Sequence, residues 1–220
     1  MLTDTINSSI SAIQQKRDAQ QRKQSIDLYK SALLKLDKST KQLVSLLDII
    51  DALSNCGMTS EKPLDASTVQ DLKDLIDRCG QGLHDGSLSS DIVNSLSTQI
   101  QTVKVSLDSF WKECAPNYGG GTKGYLSMIA SLTDDPRKVR ALSATIDKEI
   151  SSTPTVNVIY SLVLNVGAAN KIIHEYSLQP SIETFLKKVS SNSATLADVT
   201  PTVREWLKEK KLMGKLKVTF

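Results

Sequence analysis

Residues 26–50 read IDLYKSALLKLDKSTKQLVSLLDII, and this stretch decides the fold of the front half of the chain. Apolar side chains recur in it at alternating spacings of three and four, which is the heptad pattern of a helix that packs along one side. The members of this predicted seam are Ile26, Tyr29, Leu33, Leu36, Leu43, Leu47 and Ile50. We expect the seam to be an interaction surface, with another polypeptide covering apolar area that the chain's own body cannot.

The segment before the seam is polar on every side. Residues 14–24 read QQKRDAQQRKQ, still within a helical pattern. A helix that is polar all round cannot bury a face in its own domain. We therefore expect this N-terminal arm to project, to pair with another chain, or to fray.

A second heptad segment runs from Val93 to Cys114, and Pro116 is expected to end it. The glycine-rich sequence NYGGGTKG follows at residues 117–124 and favours a linker. The predicted fold class is all-α, with long N-terminal antiparallel coiled-coil-like helices followed by a compact multi-helix C-terminal bundle. The predicted regions are a helical hairpin over 1–115, a Gly-rich linker over 116–124, a compact helical region over 125–213 and an extended tail over 214–220.

Prolines mark the expected helix starts in the second half of the chain. Pro136, Pro154, Pro180 and Pro201 each precede an apolar helical pattern. Proline suits the first turn of a helix because the backbone N–H that it lacks would have no partner there.

Composition excludes several classes of protein. The chain has 220 residues, a formal net charge of +3 and 5% aromatic residues. Few aromatics and few turn residues argue against an all-β sandwich or barrel. No apolar run reaches the roughly 18 residues of a membrane-spanning helix. With no signal peptide and three cysteines, an odd number, we expect a cytoplasmic protein with reduced thiols and no membrane association.

Three patterns could carry chemistry, and each has a structural interpretation that we favour. The glycines beside Lys123 could cradle a phosphate, but they lack the order of a P-loop. Cys79 and His84 could belong to a metal site, but no close cysteine pair accompanies them. Asp134 and Asp135 are typical of a helix start. We therefore predict no catalytic residue, no cofactor, no metal site and no small-molecule substrate, while an enzyme without a recognisable motif stays a third possibility.

Basic residues gather at both ends of the chain and could contact the phosphates of a nucleic acid. These candidates are Lys16, Arg17, Arg22, Lys23, Lys208, Lys210, Lys211, Lys215 and Lys217. Neighbouring acids dilute them, so solubility or docking onto an acidic protein is the simpler interpretation. The tail KLKVTF at residues 215–220 alternates Leu216, Val218 and Phe220 with polar residues. That alternation could dock on a partner's sheet edge, and a small ribbon or a loose end is the alternative.

These patterns predict a non-enzymatic helical scaffold or accessory subunit of a larger complex. We expect it to associate with a protein partner, with a second copy of itself, or with both. The alternative prediction is a nucleic-acid-binding accessory protein that uses the basic N-terminal arm and the C-terminal tail.

Overall fold

The structure is a computed structural model, and it describes the backbone of residues 2–58, 63–133, 135–176, 179–190 and 193–215. These residues form α-helices and short connections, and none of them lies in a strand. The helices are α1 (Leu2–Asn55), α2 (Ala66–His84), α3 (Ser90–Ala130), α4 (Pro136–Ile150), α5 (Val156–Glu175), α6 (Pro180–Ser190) and α7 (Pro201–Glu209). The all-α prediction is confirmed.

The chain divides into two compact units, and the first comprises residues 1–50 and 61–107. In this unit the hydroxyl groups of Ser39 on α1 and Ser97 on α3 are hydrogen-bonded at 2.7 Å. Four residues earlier, Lys35 donates to the side chain of Asn94. Residue numbers rise together on both helices, so α1 and α3 run in the same direction. This direction differs from the antiparallel packing predicted for the two long helices, because α2 returns the chain between them. Helix α2 runs antiparallel to α3, and the Gln99 side-chain amide on α3 donates to the carbonyl oxygen of Thr68 on α2 at 3.4 Å.

Two local features define the ends of α2. Asp65 caps its first turn by accepting from the backbone N–H of Thr68 at 2.6 Å, and this hydrogen bond lowers the pKa of the Asp65 carboxyl. At the other end, Gly82 is buried so close to Leu88 that a Cβ at this position would lie 3.1 Å from the Leu88 Cα. The absence of a side chain therefore permits the tight turn from α2 into α3.

Helix α3 does not stop at Pro116, and the expected linker over residues 116–124 is instead helical. A buried stripe continues through this segment at helical spacing. Its members are Trp111, Ala115, Gly119, Thr122, Leu126 and Ile129. Pro116 faces solvent, where the carbonyl oxygen that its missing N–H would have bonded can be hydrated. Burial of this stripe overrides the weak helix propensity of glycine.

The second unit comprises residues 51–60 and 108–220. Within it α4 packs against α5, and α6 packs against α7. A hydrophobic core joins the end of α3 to α6 and α7. Its buried members are Met128, Leu132, Ile182, Phe185, Leu186, Val203, Trp206, Leu207 and Leu212. The indole N–H of Trp206 donates to the carbonyl oxygen of Tyr176 at 2.9 Å, so the largest core side chain has a polar partner.

Among the described residues, α5 is the one helix that is long and apolar enough to cross a membrane by length and composition. The buried side chains of this helix are those of Ile159, Leu162, Val166 and Ala169. Their spacing is that of a helix with one face against a protein core.

Candidate interaction surface

The predicted seam on α1 is divided between the inside and the outside of the first unit. Leu43 is buried, and Tyr29, Leu33, Leu36 and Ile50 are half-buried. Ile26 and Leu47 remain 54% and 47% exposed.

The inward side of α1 includes residues that are not part of the predicted seam, and two of them are small. Ala32, Ser39 and Leu46 are buried, and they alternate with Leu36 and Leu43 at spacings of four and three. The bond between Ser39 and Ser97 satisfies a polar group inside this contact. The inward face therefore shares one heptad position with the predicted seam and differs in the other. The prediction chose large leucines for that second position, whereas the structure places small residues there, which fit between close helices.

The other heptad position leaves an apolar stripe on the outside of α1. It consists of Ile26, Leu33, Val44 and Leu47, which lie along one side of the helix. Three of these four side chains are exposed by about half, and Leu33 is half-buried. We call this set the outer stripe. Within the described residues no other element of the chain fully covers Ile26, Val44 or Leu47.

The N-terminal part of α1, which includes the first residue of the outer stripe, has no buried side chain among those that the structure describes. We define the arm as residues 11–28; every side chain that the structure describes there is exposed. Isoleucine is exposed at two positions in it, Ile13 and Ile26. The expectation that the arm stays unburied in its own domain agrees with this exposure.

The four basic candidates of the arm lie around the helix rather than on one face. Lys16 and Lys23 are seven residues apart and share a side, whereas Arg17 and Arg22 point to other sides. All four are exposed, and Asp18 lies among them. The arrangement gives the arm a positive charge but no single basic strip.

The basic candidates for nucleic-acid contact near the C-terminus differ in exposure and in hydrogen bonding. Lys208 and Lys211 are exposed, and Lys211 has a left-handed backbone with φ of 55°. Lys210 donates to the carbonyl oxygen of Glu175 at 2.9 Å and ties the end of α7 to the end of α5. The side chain of Lys215, together with Leu216, Lys217, Val218 and Phe220, lies outside the described residues, so the predicted docking tail stays a prediction.

A buried polar cluster joins α4 to α5, and the sequence patterns did not single it out. Glu149 is 8% exposed, and its Oε1 accepts from the Ser161 hydroxyl and from the Asn165 amide, the latter at 2.8 Å. Its Oε2 is buried without a hydrogen-bond partner in the described part of the chain. Helical spacing could have predicted the burial of Glu149, because this residue lies three positions after the buried Ile146.

An open groove of about 640 Å³ lies along α3 and α4 in the second unit. Serine, alanine and leucine side chains line it, together with Arg140. Lys123, the residue of the considered phosphate cradle, is ion-paired with Asp147 at 2.8 Å across this groove. Because the glycines around it are helical, their N–H groups are used within α3 and do not form a cradle.

The cysteines and histidines do not form a metal site among the described residues. No group of three or more His, Cys, Asp and Glu side chains there could hold an ion. Burial raises the pKa of the thiols of Cys56, Cys79 and Cys114, which disfavours the thiolate that metal binding and nucleophilic attack require.

Comparisons of the chain with family models, with curated proteins and with solved structures give no match. By its architecture the chain is an all-α protein whose long first helix begins with an exposed segment.

Proposed function

We propose that this protein is a non-enzymatic helical scaffold or accessory subunit, and that it associates with another polypeptide through α1. The observation that carries the proposal is the exposure of α1: the arm is uncovered on all sides, and the outer stripe continues it along the packed part of the helix.

An isolated helix is only marginally stable in water. Helices shorter than about 12–15 residues are marginal alone, and longer polar ones gain most of their stability from packing. The described side chains of the arm are all exposed, so packing within the chain contributes little to the stability of this part of the helix. Fully burying a large aliphatic side chain contributes about 1.5–3 kcal/mol. Ile26, Val44 and Leu47 are about half exposed, so each offers a partner helix about half of that free energy.

A photo-crosslinking residue at Ile26, and separately at Leu47, tests this proposal in the native host. We expect covalent capture of a polypeptide from both positions. The same probe at Lys148, which is exposed on α4, is the matched control and should capture none. Equal yields from all three positions, or no capture from α1, would contradict the proposal.

The alternative function, nucleic-acid binding, is supported by one observation. Lys16, Arg17, Arg22 and Lys23 are all exposed, and none of them forms an ion pair among the described residues. If these cations meet phosphates, the affinity for duplex or single-stranded nucleic acid falls steeply as salt rises. A gel-shift titration at low salt with no retarded band would exclude this alternative.

A further inference from the structure

The arm extends beyond the part of α1 that has buried side chains. Ala32 is the first fully buried residue that the structure describes on α1, and Val93 is its counterpart near the start of α3. At the same level α2 ends, since Gly82 contacts Leu88 in the turn that leads into α3. A continuous α1 therefore carries residues 11–28 past the ends of α2 and α3, so the arm cannot fold back onto its own α2.

The arm and α2 have opposite charge. The arm contains four basic and two acidic residues, a net charge of +2. Residues 65–91, which span α2 and its flanks, contain six acidic and two basic residues, a net charge of −4. Asp71, Asp74 and Asp77 are exposed on α2.

Each of the two surfaces also has apolar side chains beside its charges. On α2, Ile76 and Leu83 are seven residues apart on one side, and they are 41% and 42% exposed. On the arm, Arg22 and Lys23 lie four and three residues before Ile26, so they flank this side chain on its two sides. On α2, Asp77 lies next to Ile76, whereas Asp71 and Asp74 lie on the side of the helix opposite Ile76, so Ile76 and Leu83 lie at the edge of the acidic face. The arm and α2 are therefore complementary in charge.

We propose that a second copy of this chain covers the arm, and that the arm of each copy lies along the acidic α2 of the other. A two-fold axis makes this exchange reciprocal, so both arms and both α2 surfaces are covered in one closed dimer. This inference rests on the proposed function, because it names the polypeptide that associates with α1.

A charge exchange in the full-length chain tests the dimer by sedimentation velocity at low salt. One variant carries Arg22→Glu and Lys23→Glu, and the other carries Asp74→Lys and Asp77→Lys. We expect each variant alone to raise the dissociation constant of the dimer at least about tenfold, because like charges then face each other. An equimolar mixture restores the dimer, since the reversed arm meets the reversed α2 and the native arm meets the native α2.

The control variant carries Arg137→Glu and Lys148→Glu, an equal charge change at exposed positions on α4, and it should dimerise like the native chain. Circular dichroism verifies that all variants are helical. A native chain that stays monomeric at every concentration in low salt, variants that dimerise like the native chain, or a mixture that stays monomeric would overturn the inference. If the chain is monomeric but the probe at Ile26 captures a different polypeptide, the dimer fails and the proposed function stands.

Discussion

Glu149 is buried between α4 and α5, and both of its donors reach the same carboxyl oxygen, Oε1. A buried carboxyl group with few partners makes each hydrogen bond important, because water does not replace one that is lost. Ser161 and Asn165 are each half-buried, one helical turn apart on α5. The cluster therefore fixes the position of α4 along α5, in a contact that is otherwise apolar.

Removing one donor should be costly only while the carboxyl group is present. We expect Asn165→Ala to lower the free energy of unfolding by about 1.5–3 kcal/mol in the native chain. In a Glu149→Leu background the same change should cost much less, because the hydrogen bond that it removes is already absent. Chemical denaturation of the four proteins in this double-mutant cycle measures the coupling. Equal costs in both backgrounds would show that the hydrogen bond contributes little.

Asp198 gives a prediction about acid stability. The hydrogen bond from Lys188 and the backbone N–H of Thr195 lower the pKa of this carboxyl from 3.8 to about 2. A lowered pKa in the folded state stabilises the protein above the unfolded pKa, and this contribution is lost as the pH falls from about 4 through about 2. Denaturation at several pH values should show a flatter dependence for Asp198→Asn in that window. Parallel curves for the two proteins would refute the linkage.

Among the elements, α3 departs most from the prediction, because it stays helical through the expected linker over residues 116–124. Gly119 and Gly120 lie in this segment and have different surroundings. Gly119 is buried, and a Cβ there would lie 3.0 Å from the Ile150 Cδ1 and 3.3 Å from atoms of Ile146 and Leu162. At the adjacent Gly120 a Cβ would meet open space. One glycine thus permits close packing of three helices, while the other only weakens the helix.

Alanine substitutions at the two glycines should therefore have different outcomes. Gly120→Ala is expected to raise the free energy of unfolding by about 0.5–1 kcal/mol, because alanine is the better helix former. Gly119→Ala has the same gain in propensity but should be less stable than Gly120→Ala by about 1–3 kcal/mol, because its methyl group overpacks the contact. Thermal or chemical unfolding compares them. Identical stability of the two variants would mean that α3 is not closely packed at Gly119.

Helix α1 should respond to proline according to whether the turn is packed. Proline inside a helix costs about 3 kcal/mol or more. Ser45→Pro interrupts the part of α1 that packs on its unit, so we expect a loss of that size in the free energy of unfolding. Gln20→Pro interrupts the arm, whose described side chains are all exposed in the single chain, and should change the free energy of unfolding of the dilute, monomeric chain by less than about 0.5 kcal/mol. Destabilisation by Gln20→Pro comparable to Ser45→Pro would show that the arm packs on its own chain.

At the scale of the whole molecule, local patterns were enough to predict the fold class. Pro136, Pro180 and Pro201 are the first residues of their helices, and Pro154 lies just before Thr155, which caps α5. Those features depend on neighbours in the sequence, so the sequence reveals them. The helical state of residues 116–124 could not be read in this way, because it depends on Ile146, Ile150 and Leu162, which are distant in the sequence.

Only the part of the candidate interaction surface that depends on sequence neighbours could be predicted. The polar character of the arm is a local property, and the exposure of the arm agrees with it. The side of α1 that faces inward depends on Ser97 and its neighbours on α3, and it selected Ala32 and Ser39 over Leu33 and Leu47. The unexpected consequence is the outer stripe, which places exposed apolar side chains next to the exposed arm.

Hydrogen exchange of the backbone amides in the arm tests most directly whether another polypeptide covers α1. The comparison is between the dilute purified chain and the assembly recovered from its native host under mild conditions. We predict rapid exchange over residues 13–28 in the dilute chain, because an uncovered helix opens readily, and strong protection of the same amides in the assembly. Equal and rapid exchange of these amides in both samples would contradict the account.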